Sequence, residues 1–180
     1  MEYTKLSMVE LDRLSVTAFK EATKTPIALV LDNVRSALNV GSIFRTADAF
    51  RLMKIVLVGI TAKPPNREIN KTALGATDTV EWQYCETIIQ AVDQLTIEKY
   101  QLIGIEQTKG SIPLQKFTPL YEQPLALFFG NEVDGLSEEV LPHLKQCIEI
   151  PQVGMKHSLN ISVSAGIVCW DLFAKYSYSQ

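Results

Sequence analysis

Five short segments, most of them continuously apolar, constrain the fold of this chain. They are residues 26–31, 55–58, 102–105, 125–129 and 147–150. Continuous apolar runs of this length are typical of strands buried on both faces, whereas a half-exposed sheet alternates polar and apolar residues. Segments with helical spacing lie between them, at residues 40–50, 87–100, 137–144 and 158–176. The pattern predicts an α/β domain with a mostly parallel sheet and helices on both faces.

The length and composition favour one soluble domain over residues 1–180. The chain has 180 residues, 47% of them hydrophobic and 21% charged, which suffices for one core and leaves no separate substrate domain. Residues 1–24 form a predicted N-terminal helical extension, with an amphipathic helix at residues 6–21. That extension lacks the pattern of a signal peptide, and no apolar run approaches the roughly 18 residues of a membrane span. We therefore expect a cytoplasmic protein.

The cysteines and charged residues indicate which kinds of binding site the chain can form. Cys85, Cys147 and Cys169 are widely separated and lie in or beside apolar segments, which indicates reduced core thiols rather than disulfides or a zinc site. The net charge is −3, yet residues 33–77 hold seven basic and two acidic residues. This segment could form a basic surface that binds a phosphate backbone, or its charges could be scattered around the fold.

The most informative motif spans residues 150–165, IPQVGMKHSLNISVSA. A strand ends at Pro151, a glycine loop follows, and Ser158-Leu159-Asn160 precede an apolar helix. Polar groups thus converge beside buried surface, which predicts a pocket for a polar ligand. Ser158 could alternatively serve only as the N-cap of the last helix.

Two further motifs have the same character, at residues 39–45 (NVGSIFR) and 129–136 (FGNEVDGL). In the first, Asn39 is expected to cap a helix, Gly41 to allow close backbone approach, and Arg45 to bind phosphate or to pair with Asp48. All three motifs follow predicted strands. Because ligands bind outside the carboxyl ends of strands in such sheets, the motifs are expected to share one crevice.

In the second motif, Gly130 stands at a strand end and Glu132 follows it. The glutamate either binds backbone amides of its own loop or fixes a ligand, and both readings fit the sequence. Trp82 and Tyr84 could stack on a base or belong to the core. His157 lies in the last motif's loop and has no assigned role.

In order and spacing over about residues 26–175, the three motifs together resemble those of the SpoU (TrmH-like) RNA ribose methyltransferases of the SPOUT superfamily. The resemblance implies a deep trefoil knot in the C-terminal segment, S-adenosylmethionine bent into that knot, and a homodimer that completes the site. It implies transfer of a methyl group to a ribose 2′-hydroxyl of tRNA or rRNA, without a metal.

The resemblance also assigns residues. The implied catalytic residues are Asn39, Arg45, Glu132, Ser158 and Asn160. The implied cofactor-binding residues are Glu106, Gln107, Phe129, Gly130, Asn131, Ile150, Ser158, Leu159 and Asn160. The expected RNA-binding residues are Arg35, Asn39, Arg45, Arg67 and Lys71. Since a guanidinium is almost never deprotonated, we expect Arg45 to hold the RNA phosphate and polarise the hydroxyl while the phosphate accepts the proton.

Three alternative functions fit the sequence less well than ribose methylation. A base-nitrogen methyltransferase of the same fold fits the cofactor but not the ribose-type motifs. A noncatalytic RNA-binding protein would have no need of Arg45, Glu132, Ser158 and Asn160 together. A dinucleotide oxidoreductase is disfavoured because no G-x-G-x-x-G follows the first strand.

Overall fold

The computed structural model describes residues 3–7, 10–11, 13–155 and 158–178. Within these residues one sheet contains seven strands, in the order β3-β2-β1-β6-β4-β7-β5, and its neighbouring strands are parallel. The strands are β1 Thr25–Asp32, β2 Leu52–Val58, β3 Glu81–Cys85, β4 Gln101–Ile105, β5 Ile112–Pro113, β6 Leu125–Phe129 and β7 Gln146–Glu149.

Helices cover both faces of this sheet. They are α1 Val16–Glu21, α2 Ala37–Ala49, α3 Arg67–Ala73, α4 Ala76–Thr79, α5 Ile88–Ile97 and α6 Ile161–Tyr178, with 3-10 helices at Leu114–Lys116 and Glu138–His143. Alternate residues of β1 point into two separate cores. One core includes residues of α2, α3 and α6, and the other includes residues of α5 and of the second 3-10 helix. The predicted α/β fold with a mostly parallel sheet is confirmed.

The five predicted strands are all present, but two further strands, β3 and β5, were not predicted. The predicted helix at residues 6–21 is wrong for the described residues before Val16, where α1 begins; residues 8, 9 and 12 lie outside the described residues. Leu6, Leu11 and Leu14 are 63%, 43% and 51% exposed, so the apolar stripe has no surface to pack against. Short helices need such packing to be stable in water.

The helix predicted at residues 137–144 is a 3-10 helix, Glu138–His143, with Pro142 inside it. Proline has no N–H to donate within an α-helix, which favours this short irregular form. No helix in the described part of the chain is long and apolar enough to cross a membrane. Cys85, Cys147 and Cys169 are free thiols, and the predicted core position holds for Cys85 and Cys169, whereas Cys147 is only half-buried.

Strand β6 lies between β1 and β4 and determines where the motifs meet. Phe129, its last residue, pairs with Leu31 on one side and with Ile105 on the other. The chain therefore leaves β1, β6 and β4 at one edge of the sheet, and β7 ends beside β4. Helix α2 then packs closely on α3, since a Cβ at Gly41 would lie 2.2 Å from Thr72 Oγ1. The predicted close approach at Gly41 is confirmed.

Candidate active site

A cavity of about 540 Å³ opens at this edge. Its apolar side is formed at the strand ends by Ile105, Phe129 and Ile148. Every residue expected to bind the cofactor lines it, namely Glu106, Gln107, Phe129, Gly130, Asn131, Ile150, Ser158, Leu159 and Asn160. Ligand pockets commonly have volumes of about 300–1,000 Å³, so this cavity can hold a molecule of nucleoside size.

A chain of side-chain hydrogen bonds connects the three motifs at this cavity. Asn160 Nδ2 donates to Asn39 Oδ1 at 3.2 Å, and Asn39 Nδ2 donates to Glu132 Oε1 at 2.9 Å. Residues separated by 93 and 121 positions in the sequence are thereby joined. The chain of bonds brings together three of the five residues expected to be catalytic.

Asn39 can take part because it does not cap helix α2. Ser36 is the N-cap, and its Oγ accepts the Asn39 backbone N–H at 3.3 Å. The sequence-based cap at Asn39 is therefore wrong, since the helix begins one turn earlier with a serine, another favoured N-cap residue. The Asn39 side chain is left free to bridge the other two motifs.

Asn160, rather than Ser158, caps helix α6. Its Oδ1 accepts from Ser162 N at 2.9 Å and from Val163 N at 3.4 Å, which satisfies amides that lack partners inside the helix. The alternative in which Ser158 is merely the N-cap is therefore wrong. Ser158 lies exposed in the cavity wall, two residues before the cap.

The loop after β6, residues 130–137, folds back on itself. A Cβ at Gly130 would lie 1.9 Å from the Gly135 carbonyl carbon, so glycine is required where the two ends of the loop meet. Asn131 Oδ1 accepts the backbone amides of Val133 and Asp134, both at 2.9 Å. In the loop it is therefore Asn131 that binds these amides, while Glu132 reaches across to Asn39.

Two carboxylates hold the far end of this loop. Glu106 Oε2 accepts from Leu136 N at 3.2 Å, and its Oε1 accepts from Gln107 N at 2.9 Å. Asp32 Oδ2 accepts from Ser137 N at 2.8 Å. Sequence reasoning missed Asp32, which is fully buried. An acidic residue closing a continuously apolar strand was the available signal.

Asn39 and Arg45 are the two expected catalytic residues that do not line this cavity; Asn39 is hydrogen-bonded to residues of its wall, whereas Arg45 lies apart from it. Arg45 is exposed and lines a second cavity of about 530 Å³ with Ser42, Thr46, Lys71 and Thr72. The alternative ion pair with Asp48 does not form within the described residues, because Asp48 Oδ1 accepts from Thr79 Oγ1 at 2.5 Å. Lys71, which lines the second cavity with Arg45, forms an ion pair with Glu68, with 2.7 Å between Nζ and Oε1.

Only part of the basic segment, residues 33–77, contributes charges to the protein surface. Arg35 and Arg67 are exposed just before α2 and at the first residue of α3. Lys54 is buried and pairs with Glu98 at 2.5 Å, so it does not contribute to a basic surface.

Of the predicted aromatic candidates, Trp82 is partly buried against the core. The ring of Tyr84 lies under the Lys63 ammonium, 3.5 Å from it. His157 lies outside the described residues.

Known RNA methyltransferases resemble this chain in sequence. Residues 26–170 match the model of the SpoU rRNA Methylase family, and the chain belongs to that family. The 23S rRNA (guanosine-2′-O-)-methyltransferase RlmB of Nitrosomonas europaea is 30% identical over 155 residues, which cover 86% of this chain and 58% of that protein. RlmB of Vibrio parahaemolyticus is 29% identical over 148 residues, covering 82% and 59%. The chain thus spans less than two thirds of the length of these relatives.

Solved structures share the fold. The AdoMet-bound rRNA methyltransferase from Sinorhizobium meliloti superposes with a TM-score of 0.77 at 26% identity, over 86% of this chain and 59% of that one. The A. aeolicus TrmH/SpoU tRNA modifying enzyme gives a TM-score of 0.80 at 23% identity, over 91% and 83%.

Proposed function

We propose that this protein transfers a methyl group from S-adenosylmethionine to a ribose 2′-hydroxyl of rRNA or tRNA. The observation that carries the proposal is the hydrogen-bonded chain Asn160, Asn39 and Glu132, which joins the three motifs at one cavity. The printed names of the relatives, which specify guanosine 2′-O-methylation of 23S rRNA, support it. The proposed reaction requires no metal and takes place in the cytoplasm.

The cavity fits the proposed cofactor. Ile150 and Leu159 line it and offer backbone groups beside apolar side chains, which suits an adenine ring. The loop of Gly130 and Asn131 forms another wall, and Ser158 supplies a hydroxyl for a polar part of cofactor or substrate. When bound, S-adenosylmethionine supplies an electrophilic methyl group, and the chain's own residues must orient the acceptor.

A ribose hydroxyl is weakly acidic, so the protein must position it and provide a destination for its proton. We assign Asn39 and Asn160 to positioning, because each amide is already oriented by the next member of the chain of bonds. Glu132 organises this arrangement as its terminal acceptor. Arg45 and Lys71 hold the RNA phosphate, which accepts the proton; a guanidinium forms a planar, two-pronged contact with phosphate.

The proposed RNA interface is the exposed surface of α2 and α3. Arg35 lies just before α2 and Arg45 lies on it. Arg67 and Lys71 lie on α3. Asn39 lies between Arg35 and Arg45 in the sequence, and its hydrogen bond to Glu132 joins this surface to the cavity. Because RNA binding through such contacts releases counterions, we expect affinity to fall steeply as salt concentration rises.

The proposed site is shared between two copies of the chain. Arg45 lines the second cavity together with Gly166 of α6, apart from the residues of its own cofactor cavity. On α6, Val163, Ile167 and Trp170 are 49%, 39% and 56% exposed and are spaced for one helix face. A homodimer through this face would bury them and bring Arg45 toward the partner's cavity. Isologous pairing is the commonest symmetry of such assemblies.

We also propose the trefoil knot that the resemblance implies. β7 pairs with β4 on the far side of β6, yet α6 returns to pack against α2. The described parts of the connecting segment, residues 150–155 and 158–160, lie beside the loop of residues 130–137 at the edge of the sheet, since residues of both line the same cavity. This position of the segment supports a knotted path.

The test is transfer of a labelled methyl group to ribosomal RNA and transfer RNA, together with calorimetric titration of S-adenosylmethionine. We expect binding without RNA, and methylated linkages that resist alkali because a methylated 2′-oxygen cannot attack its phosphate. Label on a base would instead indicate the base-nitrogen alternative. RNA binding without any cofactor binding would indicate a noncatalytic RNA-binding protein.

A further inference from the structure

The loop of residues 130–137 is held by carboxylates from both strands that flank β6. Leu31 and Ile105 pair with Phe129 from opposite sides, so Asp32 and Glu106 occupy equivalent positions one residue further along. Their oxygens accept from two consecutive amides, Leu136 N at 3.2 Å from Glu106 and Ser137 N at 2.8 Å from Asp32.

The geometry around Glu106 is specific to this contact. A Cβ at Gly135 would lie 2.4 Å from Glu106 Oε2, and Gly135 has a φ of 71°. Glycine is therefore required at this position both for the backbone conformation and for the space that the carboxylate occupies. Both oxygens of Glu106 accept backbone amides, of Gln107 and of Leu136.

Asp32 is bound by donors on both of its oxygens as well. Oδ2 accepts from Ser137 N, and Oδ1 accepts from Asn33 Nδ2 at 2.9 Å. The residue is fully buried and, within the described residues, forms no ion pair. A buried carboxylate without a cation is costly unless several hydrogen bonds satisfy it, so these donors hold it in one position.

We propose that Asp32 and Glu106 are positioning residues that clamp the loop of residues 130–137 and thereby set the affinity for S-adenosylmethionine. The inference rests on the proposed function, because this loop forms a wall of the proposed cofactor cavity. Neither carboxylate needs to contact the cofactor. For Glu106 we thus propose a positioning role instead of the direct contact with the cofactor that the sequence analysis expected.

The test uses Asp32→Asn, Glu106→Gln and the double variant. An amide keeps the shape but offers one oxygen, so one amide donor at each site loses its acceptor. The loss of an acceptor loosens the loop at the point where the carboxylate holds it. We expect each single variant to weaken S-adenosylmethionine binding about tenfold in calorimetry. Because both carboxylates act on one loop, the double variant should lose much less affinity for S-adenosylmethionine than the product of the two single losses.

Amide hydrogen exchange followed by mass spectrometry gives a readout that needs no cofactor. Both variants should accelerate exchange in residues 130–137 while leaving β2 and β3 unchanged. Asp48→Asn, which removes a carboxylate bonded to Thr79 Oγ1 away from the loop, serves as the matched control. It should leave both exchange in the loop and cofactor affinity unchanged.

Unaltered loop exchange in both single variants would overturn the clamp. So would altered exchange with unaltered cofactor affinity, or a lower melting temperature as the only effect. Failure of the wild-type protein to bind S-adenosylmethionine would contradict the proposed function instead, and the exchange measurement would still decide whether the loop is clamped.

Discussion

Single side-chain amides join the three motifs of this site. Asn39 donates to Glu132 and accepts from Asn160, so its orientation is fixed by both neighbours. Asn160 in turn uses its oxygen to cap α6. Glu132 ends the chain as an acceptor, which needs an oxygen but no negative charge.

Glu132→Gln therefore tests whether this residue organises the site or removes the proton. Glutamine keeps a carbonyl oxygen for Asn39 Nδ2, so we expect methyl transfer within about threefold of wild type, whereas Glu132→Ala should lose at least tenfold. Steady-state rates with saturating S-adenosylmethionine and RNA distinguish the two. Equal, severe losses in both variants would indicate that the carboxylate itself takes part in the chemistry.

Arg45 allows cofactor binding and turnover to be separated. Since it lies outside the cofactor cavity, Arg45→Ala should leave the calorimetric affinity for S-adenosylmethionine unchanged. Methyl transfer should fall at least about a hundredfold, the scale of losing one transition-state contact. Arg45→Lys should recover little, because a point charge does not reproduce the planar contact with phosphate.

The matched control is Lys116→Ala, which removes one positive charge from an exposed 3-10 helix outside both cavities. It should retain wild-type transfer. Rates in Arg45→Ala equal to those of this control would remove Arg45 from the proposed mechanism.

At the scale of elements, one ion pair joins β2 to the end of α5. Lys54 Nζ lies 2.5 Å from Glu98 Oε2. Burial raises the pKa of Glu98, but hydrogen bonds from Lys54 and Gln94 outweigh it, and the net pKa lies below the ordinary value of 4.5. A carboxyl whose pKa is lower in the folded than in the unfolded state stabilises the fold at pH values above its unfolded-state pKa. This stabilisation is lost as the pH falls through its folded-state pKa.

Glu98→Gln should accordingly lower the melting temperature by about 1–3 °C at pH 7. This difference should shrink as the pH falls through the lowered pKa of Glu98, because the wild-type carboxyl then becomes protonated. Thermal unfolding between pH 3 and pH 8 measures it, with the exposed Glu139→Gln as control. A difference that is the same at pH 3 and pH 7 would contradict the assignment.

The sequence predicted the strands that carry apolar runs and the longer helices whose apolar residues recur with helical spacing. β3 was missed because it is an edge strand with Glu81 and Tyr84 exposed, so it shows no continuous apolar run. α3 and α4 were missed because residues 60–80 lack apolar periodicity, and their limits depend on local geometry such as the Asn66 cap and the left-handed Leu74.

For the candidate site, the sequence identified the residues but not their contacts. Local patterns placed Asn39, Glu132 and Asn160 in three separate motifs. Which of them cap helices and which bridge motifs depends on pairs that lie far apart in the chain. Asp32 escaped notice for the same reason, since its acceptor role appears only when β1 and the loop after β6 are adjacent.

At the scale of the whole molecule, the exposed apolar face of α6 tests the proposed assembly. Ile167→Asp places a charge in that face and should convert a homodimer into a monomer, with loss of methyl transfer. Sedimentation at micromolar concentration measures the assembly. Ile97→Asp is the matched control, because Ile97 is 80% exposed on α5, which covers the other face of the sheet. A monomeric wild-type protein would refute the proposed dimer.

The position of β6 in the middle of the sheet has a consequence for biosynthesis. β1 gains its second neighbour only when residues 125–129 have emerged, and β4 pairs with β6 and β7, both of which follow it in the chain. For much of its synthesis the nascent chain therefore carries apolar strands with unpaired edges, the kind of surface that invites aggregation. The sheet is complete only once β7 has emerged, and the cavity only once α6 has followed it, because Ile161 and Ser164 of α6 line the cavity.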